Sequence, residues 1–264
     1  MKHRGFVSVL LLLATASTLG AHDLFLKLDA YFVSPGATLV VRVLNGTFSK
    51  SEGAVAKDRV RDITVLTPAG ATRLDSAAWE AEGDTSILTV GTRESGTYVI
   101  GASLRPREIK LEAKDFNDYL ARDGLPDVLA ARREARELDR PARERYSKHV
   151  KALIQVGDQR TERYQTALGY PAELIPLDNP YAHKAGAIFR VRAVVDGEPV
   201  ANQLVTLGGR QGRQSARTDR AGVARFQINS RGAWYVKFIH MRPATGDSTI
   251  DYESKWASLT FGVR

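Results

Sequence analysis

The chain predicts a mainly β protein: two immunoglobulin-like β-sandwich domains joined by a short helical segment. Three observations carry this reading. Short apolar runs at strand period recur in both halves, separated by turn residues at sandwich spacing. Residues 112–152, between them, have few β-branched side chains and become rich in Glu, Arg, Ala and Leu. Cysteine is absent, so buried apolar surface has to hold each part together without disulfides.

The elements follow in order. Residues 1–21 read as an export signal. Lys2, His3 and Arg4 give a basic start, Phe6 to Leu13 an apolar run, and Ala14 to Ala21 a set of small residues. The run is shorter than the roughly 20 residues a permanent span needs, so a cleaved signal and a periplasmic or secreted product, with no membrane span, are expected. Cleavage after Ala21 competes with cuts after Ala16 and Gly20. Residues 22–111 form the expected N-terminal sandwich. Leu24, Leu26 and Leu28 alternate with Phe25 and Lys27, Ser34-Pro35-Gly36 turns, and Thr38 to Val43 returns. Ile63 to Leu66, Ile87 to Val90 and Thr97 to Gly101 supply further strands.

Residues 112–155 form the expected helical insertion. Phe116, Tyr119 and Leu120 recur at helical spacing, as do Val128, Leu129 and Ala135. Gly124 and Pro126 separate two helices, and Pro141 suits the first turn of a third. Residues 156–264 form the expected C-terminal sandwich. Phe189, Val191, Ala193 and Val195 share one strand face, a Gly-rich hairpin spans 208–212, and Trp234, Val236, Phe238 and His240 share another face.

The formal charge is +8, spread along the chain. The densest basic group, Arg132, Arg133, Arg136, Arg140, Arg143 and Arg145, is interrupted by Glu134, Glu137, Asp139 and Glu144. That pattern reads as a solvated helix face rather than a nucleic-acid surface.

The opening Ala21-His22-Asp23-Leu24-Phe25-Leu26 resembles the mature start of exported proteins in the domain-of-unknown-function 4198 family. Ser34-Pro35-Gly36, Glu144-Arg145-Tyr146-Ser147-Lys148, Leu177-Asp178-Asn179-Pro180-Tyr181, Asp196-Gly197-Glu198-Pro199-Val200, Ile239-His240-Met241 and Tyr252 to Phe261 are similar in order and spacing. The resemblance implies a periplasmic accessory to nickel or cobalt uptake, with a membrane uptake complex as partner. Phe25 stands where many relatives carry Trp, and Lys255 where an aromatic is common. The second half is also similar to carboxypeptidase-regulatory-like modules.

Without thiolates, any metal has to be held by nitrogen and oxygen donors. Cleavage after Ala21 makes His22 a terminal residue whose α-amine and imidazole chelate nickel, cobalt or copper together. His240 is the expected second imidazole. Asp251 and Glu253 are candidate carboxylate ligands or supports, and His183 is a reserve ligand. His149 is expected on a helix surface beside Lys148 and Lys151. No serine-elbow motif or cysteine nucleophile is present, so a binding protein is expected rather than an enzyme. The alternatives are a non-catalytic interaction or carbohydrate-binding module and a histidine-brace copper oxygenase.

Overall fold

The structure is a computed structural model and describes residues 22–184 and 186–264. The export signal and its cleavage point lie outside the described residues.

The chain opens with β1 (Asp23–Lys27), β2 (Phe32–Val33) and β3 (Thr38–Gly46). There follow β4 (Val60–Thr67), β5 (Gly70–Arg73), β6 (Trp79–Glu82), β7 (Thr85–Gly91), β8 (Gly96–Leu104) and β9 (Arg107–Leu111). Two helices, α1 (Ala113–Arg122) and α2 (Pro126–Glu134), precede the long strand β10 (Ala142–Val156). The rest comprises β11 (Ala172–Pro176), β12 (Ile188–Val195), β13 (Glu198–Pro199), β14 (Leu204–Gly209), β15 (Gly212–Arg217), β16 (Val223–Gln227), β17 (Gly232–Pro243) and β18 (Tyr252–Val263).

These strands make three sheets. The first runs β1-β3-β7-β6, and the third runs β11-β12-β13 with β16 on β12. The central sheet runs β15-β14-β17-β18-β10-β8-β4-β5, with β2 and β9 also on β10. It draws strands from both halves of the chain. β10 joins them, lying parallel to β18 and antiparallel to β8.

Side-chain parity shows which layer covers each face of the central sheet. Ser258 and Thr260 of β18 point to the first sheet, where their hydroxyls donate to the carbonyls of Leu24 and Leu26. Phe261, of opposite parity, packs on Phe189 of β12 at 4.7 Å between ring centroids. The central strands are therefore covered on both sides. β8 is buried at all nine positions, whereas β3 alternates buried and exposed along most of its length. That is the expected contrast between a strand covered twice and one covered once. One apolar cluster takes in Leu26, Val41 and Leu88 of the first sheet, Ile100, Ile154 and Phe261 of the central sheet, and Phe189 and Val191 of the third.

The mainly β class and the apolar faces read from residues 22–111 and 156–264 agree with these strands. The helical reading of 112–155 holds only for its first half. α1 buries Phe116, Tyr119 and Leu120, with Phe116 and Leu120 each contributing about 1.5–3 kcal/mol. Gly124 and Pro126 do separate the two helices. Pro141, however, precedes β10 rather than a third helix. The charged residues that made 142–155 look helical are absorbed by partners across the sheet. Arg145 bonds Glu108 and Asp247, and Lys151 pairs with Glu173. The basic group is likewise not one solvated helix face. Arg132 is buried; it stacks on Phe116, bonds the Asn117 side chain and donates to the carbonyls of Glu137 and Arg140.

Candidate functional site

β1 is an edge strand of the first sheet, pairing with β3 so that Asp23 lies opposite Gly46 and Leu24 opposite Asn45. His22 stands one residue before this ladder, beside the loop that follows β3. That loop is tight. A Cβ on Gly46 would sit 2.5 Å from the Lys50 carbonyl, so the close backbone approach requires glycine. The Glu52 amide donates to the Asn45 carbonyl at 2.9 Å, and the Ser51 hydroxyl accepts from the Asn45 amide at 3.1 Å. Glu52 is thereby fixed next to the start of β1. Its Oε2 lies 3.3 Å from His22 Nδ1, with 31% of the histidine side chain and 43% of the glutamate side chain exposed.

Two lysines of the central sheet hold the start of β1 from below. Lys148 of β10 donates to the His22 carbonyl and to Asn45 Oδ1. Its ammonium lies against the rings of Tyr146 and Trp256. Burial pushes its pKa down to about 8, although Asp23, Glu144 and Asp123 pull the other way. Lys237 of β17 donates to Asp23 at 2.5 Å and lies 3.6 Å from Asp123. Asp23 is thus tied to the central sheet by a buried lysine. Beneath α1, the buried Glu144 accepts from Ser254 and Tyr119, and Trp256 Nε1 donates to Ser254 at 2.9 Å. Burial raises the pKa of both Glu144 and Asp123.

His240 is not part of this cluster. Lys237 reaches Asp23 from one face of β17, and His240, three residues on, has the opposite parity. Its face is that of Trp234, Val236 and Phe238, as the apolar pattern indicated. His240 Nδ1 lies 3.1 Å from Gln203 Oε1. Burial lowers the His240 pKa.

The remaining candidates lie apart. Asp251 accepts from the backbone amide of Arg143 at 2.7 Å and from its guanidinium, which together hold its carboxyl below the ordinary range. Glu253 pairs with Arg242 and Arg145. His183 follows a short turn before β12 and packs edge-on against Phe189, with Nδ1 buried and unpartnered among the described residues. Among the described residues no three His, Asp or Glu side chains gather as a metal cluster.

His149 is the clearest correction. It lies on β10, not on a helix, and is 2% exposed. Its ring nitrogens meet Ser103 at 2.9 Å and Ser147 at 3.0 Å. Burial, with Arg61 and Lys255 nearby, pushes its pKa down to about 3, so the imidazole is neutral.

Sequence reasoning missed Glu52 and Lys148 as neighbours of His22. Glu52 had no local signal, because only the pairing of β1 with β3 brings the 46–52 loop to the start of the chain. Lys148 was masked by the helical reading of its segment.

No helix among the described residues is long and apolar enough to cross a membrane. No curated protein matches the chain. Similar solved structures include the D0-D1 domain of intimin, at 13% identity over 90% of this chain and 97% of that one, with TM-score 0.24. A DUF4785 family protein from Legionella pneumophila is 12% identical over 81% of this chain and 50% of that one, with TM-score 0.26. Trypsin-activated alpha-2-macroglobulin from Escherichia coli is 14% identical over 91% of this chain and 15% of that one, with TM-score 0.23. The family described as Domain of unknown function (DUF4198) matches residues 19–242, and the chain belongs to it.

Proposed function

We propose that this is an exported, non-catalytic binding protein for a divalent transition metal, with His22 as anchoring ligand once the preceding segment is removed. The carrying observation is the pairing of a half-exposed His22 imidazole with the Glu52 carboxylate at 3.3 Å, on a strand start tied down by Lys148 and Lys237. A free α-amine on His22 adds a second nitrogen to the chelate. Two nitrogens and one carboxylate oxygen suit nickel, cobalt or copper, with water completing the coordination. The ion is cargo, and a membrane uptake complex is the proposed recipient in the periplasm.

The donor set differs from the one expected. His240 lies on the other face of the central sheet, and Asp251 and Glu253 are occupied by arginines. A brace-type copper oxygenase needs a second imidazole beside His22, and His240 does not provide it.

Calorimetric titration with nickel, cobalt and copper tests the proposal on protein whose terminus has been verified by mass spectrometry. Protein beginning at His22 binds one ion per chain. Acetylating the α-amine or changing Glu52→Gln weakens binding about tenfold or more, the scale on which losing even a supporting group acts. His240→Ala leaves affinity unchanged. If amine blocking and Glu52→Gln both leave affinity intact, the site is not at His22.

A further inference from the structure

A second site lies on the opposite side of the central sheet from His22. A cleft of about 550 Å³ opens between the third sheet, the 167–171 segment and the start of β4. In the β11–β12 pair, Glu173 lies opposite Val194 and Ile175 opposite Arg192, so all four share one face. That face lines the cleft, while Leu174, Val191 and Ala193 point into the core. Tyr170, Pro171 and Pro199 add apolar wall. The size is that of a small-molecule pocket.

Two arginines and two carboxylates line it, but only the carboxylates are paired among the described residues. Arg192 Nε is buried and has no hydrogen-bond partner among the described residues. Arg61 stands exposed on the rim. The carboxylates nearby are already committed. Glu173 accepts from Lys151 and from the amides of Leu168 and Tyr170. Asp196 is held by Lys255, and Asp62 by Thr64, Tyr170 and Arg73. Arg192 as a whole is only partly buried, and no part of its guanidinium has a hydrogen-bond or ion-pair partner among the described residues; a carboxylate entering the cleft pairs with such a guanidinium in a charge-assisted contact.

The geometry points to a binding site for a small carboxylate with an apolar tail, its head on Arg192 with Arg61 at the mouth, its tail along Ile175, Val194 and Pro199. This site is independent of the metal proposal, because no residue of the His22 cluster lines it.

Octanoate is the probe, with octylamine and inorganic phosphate as controls, titrated calorimetrically into the purified protein. Octanoate binds saturably at one per chain, and neither control binds at comparable concentration. Arg192→Met weakens octanoate at least tenfold, as expected for losing a charged hydrogen bond. Ala167→Trp, which fills the cleft from its rim, abolishes binding while thermal unfolding reports an intact fold. If Arg192→Met does not fold, Ala167→Trp decides. The inference is overturned if octanoate does not bind, if octylamine or phosphate binds as well, or if filling the cleft leaves affinity unchanged.

Discussion

Lys148 and Lys151 lie three residues apart on one strand and are both buried, yet they face opposite layers and meet opposite fates. Lys151 points toward the third sheet and closes a salt bridge with Glu173 at 2.8 Å, both side chains only 3% exposed. Burial opposes the charge on Glu173, but Lys151 and two backbone amides hold its carboxyl below the ordinary range. Lys148 points toward the first sheet and has no such counter-ion among the described residues. Its hydrogen bonds go to a carbonyl and an amide oxygen, and its charge rests on two aromatic rings. One face of β10 thus carries a closed ion pair, and the other an ammonium that serves to pin the start of β1. A closed pair fits a structural role. A buried ammonium held by backbone and amide oxygens fits a place where the fold has to present something, here His22.

The comparison breaks most visibly at Lys151. Changing Lys151→Met strands a buried carboxylate and costs about 3–5 kcal/mol, read as a lowered denaturation midpoint. A Lys151→Met, Glu173→Leu double variant recovers most of that loss. If the single variant is neutral, the two lysines do not differ in the way described.

His149, between them on the Lys151 face, sharpens the contrast through acid sensitivity. The unfolded chain takes up a proton near the ordinary histidine value, whereas the folded imidazole refuses it until about pH 3. Unfolding therefore binds protons in this window, and stability falls as pH drops through it. The loss reaches about 3 kcal/mol by pH 4. His149→Asn flattens that acid limb in urea titrations between pH 6.5 and pH 4; an unchanged slope assigns the acid sensitivity to other groups.

Lys148 gives the smallest effect, of the same pH sense but in an alkaline window. The folded state releases its proton near pH 8, below the unfolded value, so the unfolded chain holds more protons between about pH 8 and 10.5. Stability from this group rises with pH across that window, by about 2 kcal/mol up to pH 10. Lys148→Met removes the rise and, by loosening β1, weakens metal binding at His22. A preserved rise locates it in some other titrating group.

Much of the fold was legible because it depends on local period. The apolar faces of 24–28, 187–195 and 234–240 and the 208–212 hairpin follow from alternation and turn chemistry alone. So does α1, through Phe116, Tyr119 and Leu120. The misreading of 142–155 has a physical cause. A strand covered on both faces loses the polar–apolar alternation of a half-buried one, and β10 accommodates Arg145, Lys148 and Lys151 through partners remote in sequence. Local propensity sees the lysines but not Glu173 or Asn45.

The candidate site divides the same way. That His22 stands at the head of a strand was readable from the alternation that follows it. Which groups surround His22 was not. The metal-site hypothesis drew on residue type, and His240 is a donor by type; it is kept from the terminus by strand face and by three residues of β17 beyond Lys237. Residue chemistry, strand period and the exported, thiol-free character expected of the chain belong to the sequence, because each depends on neighbours along the backbone. Sheet order, the shared central layer and the meeting of His22 with Glu52 belong to the tertiary structure. They depend on pairings between distant segments, and a shift of one residue in any of them turns every side chain to the other face.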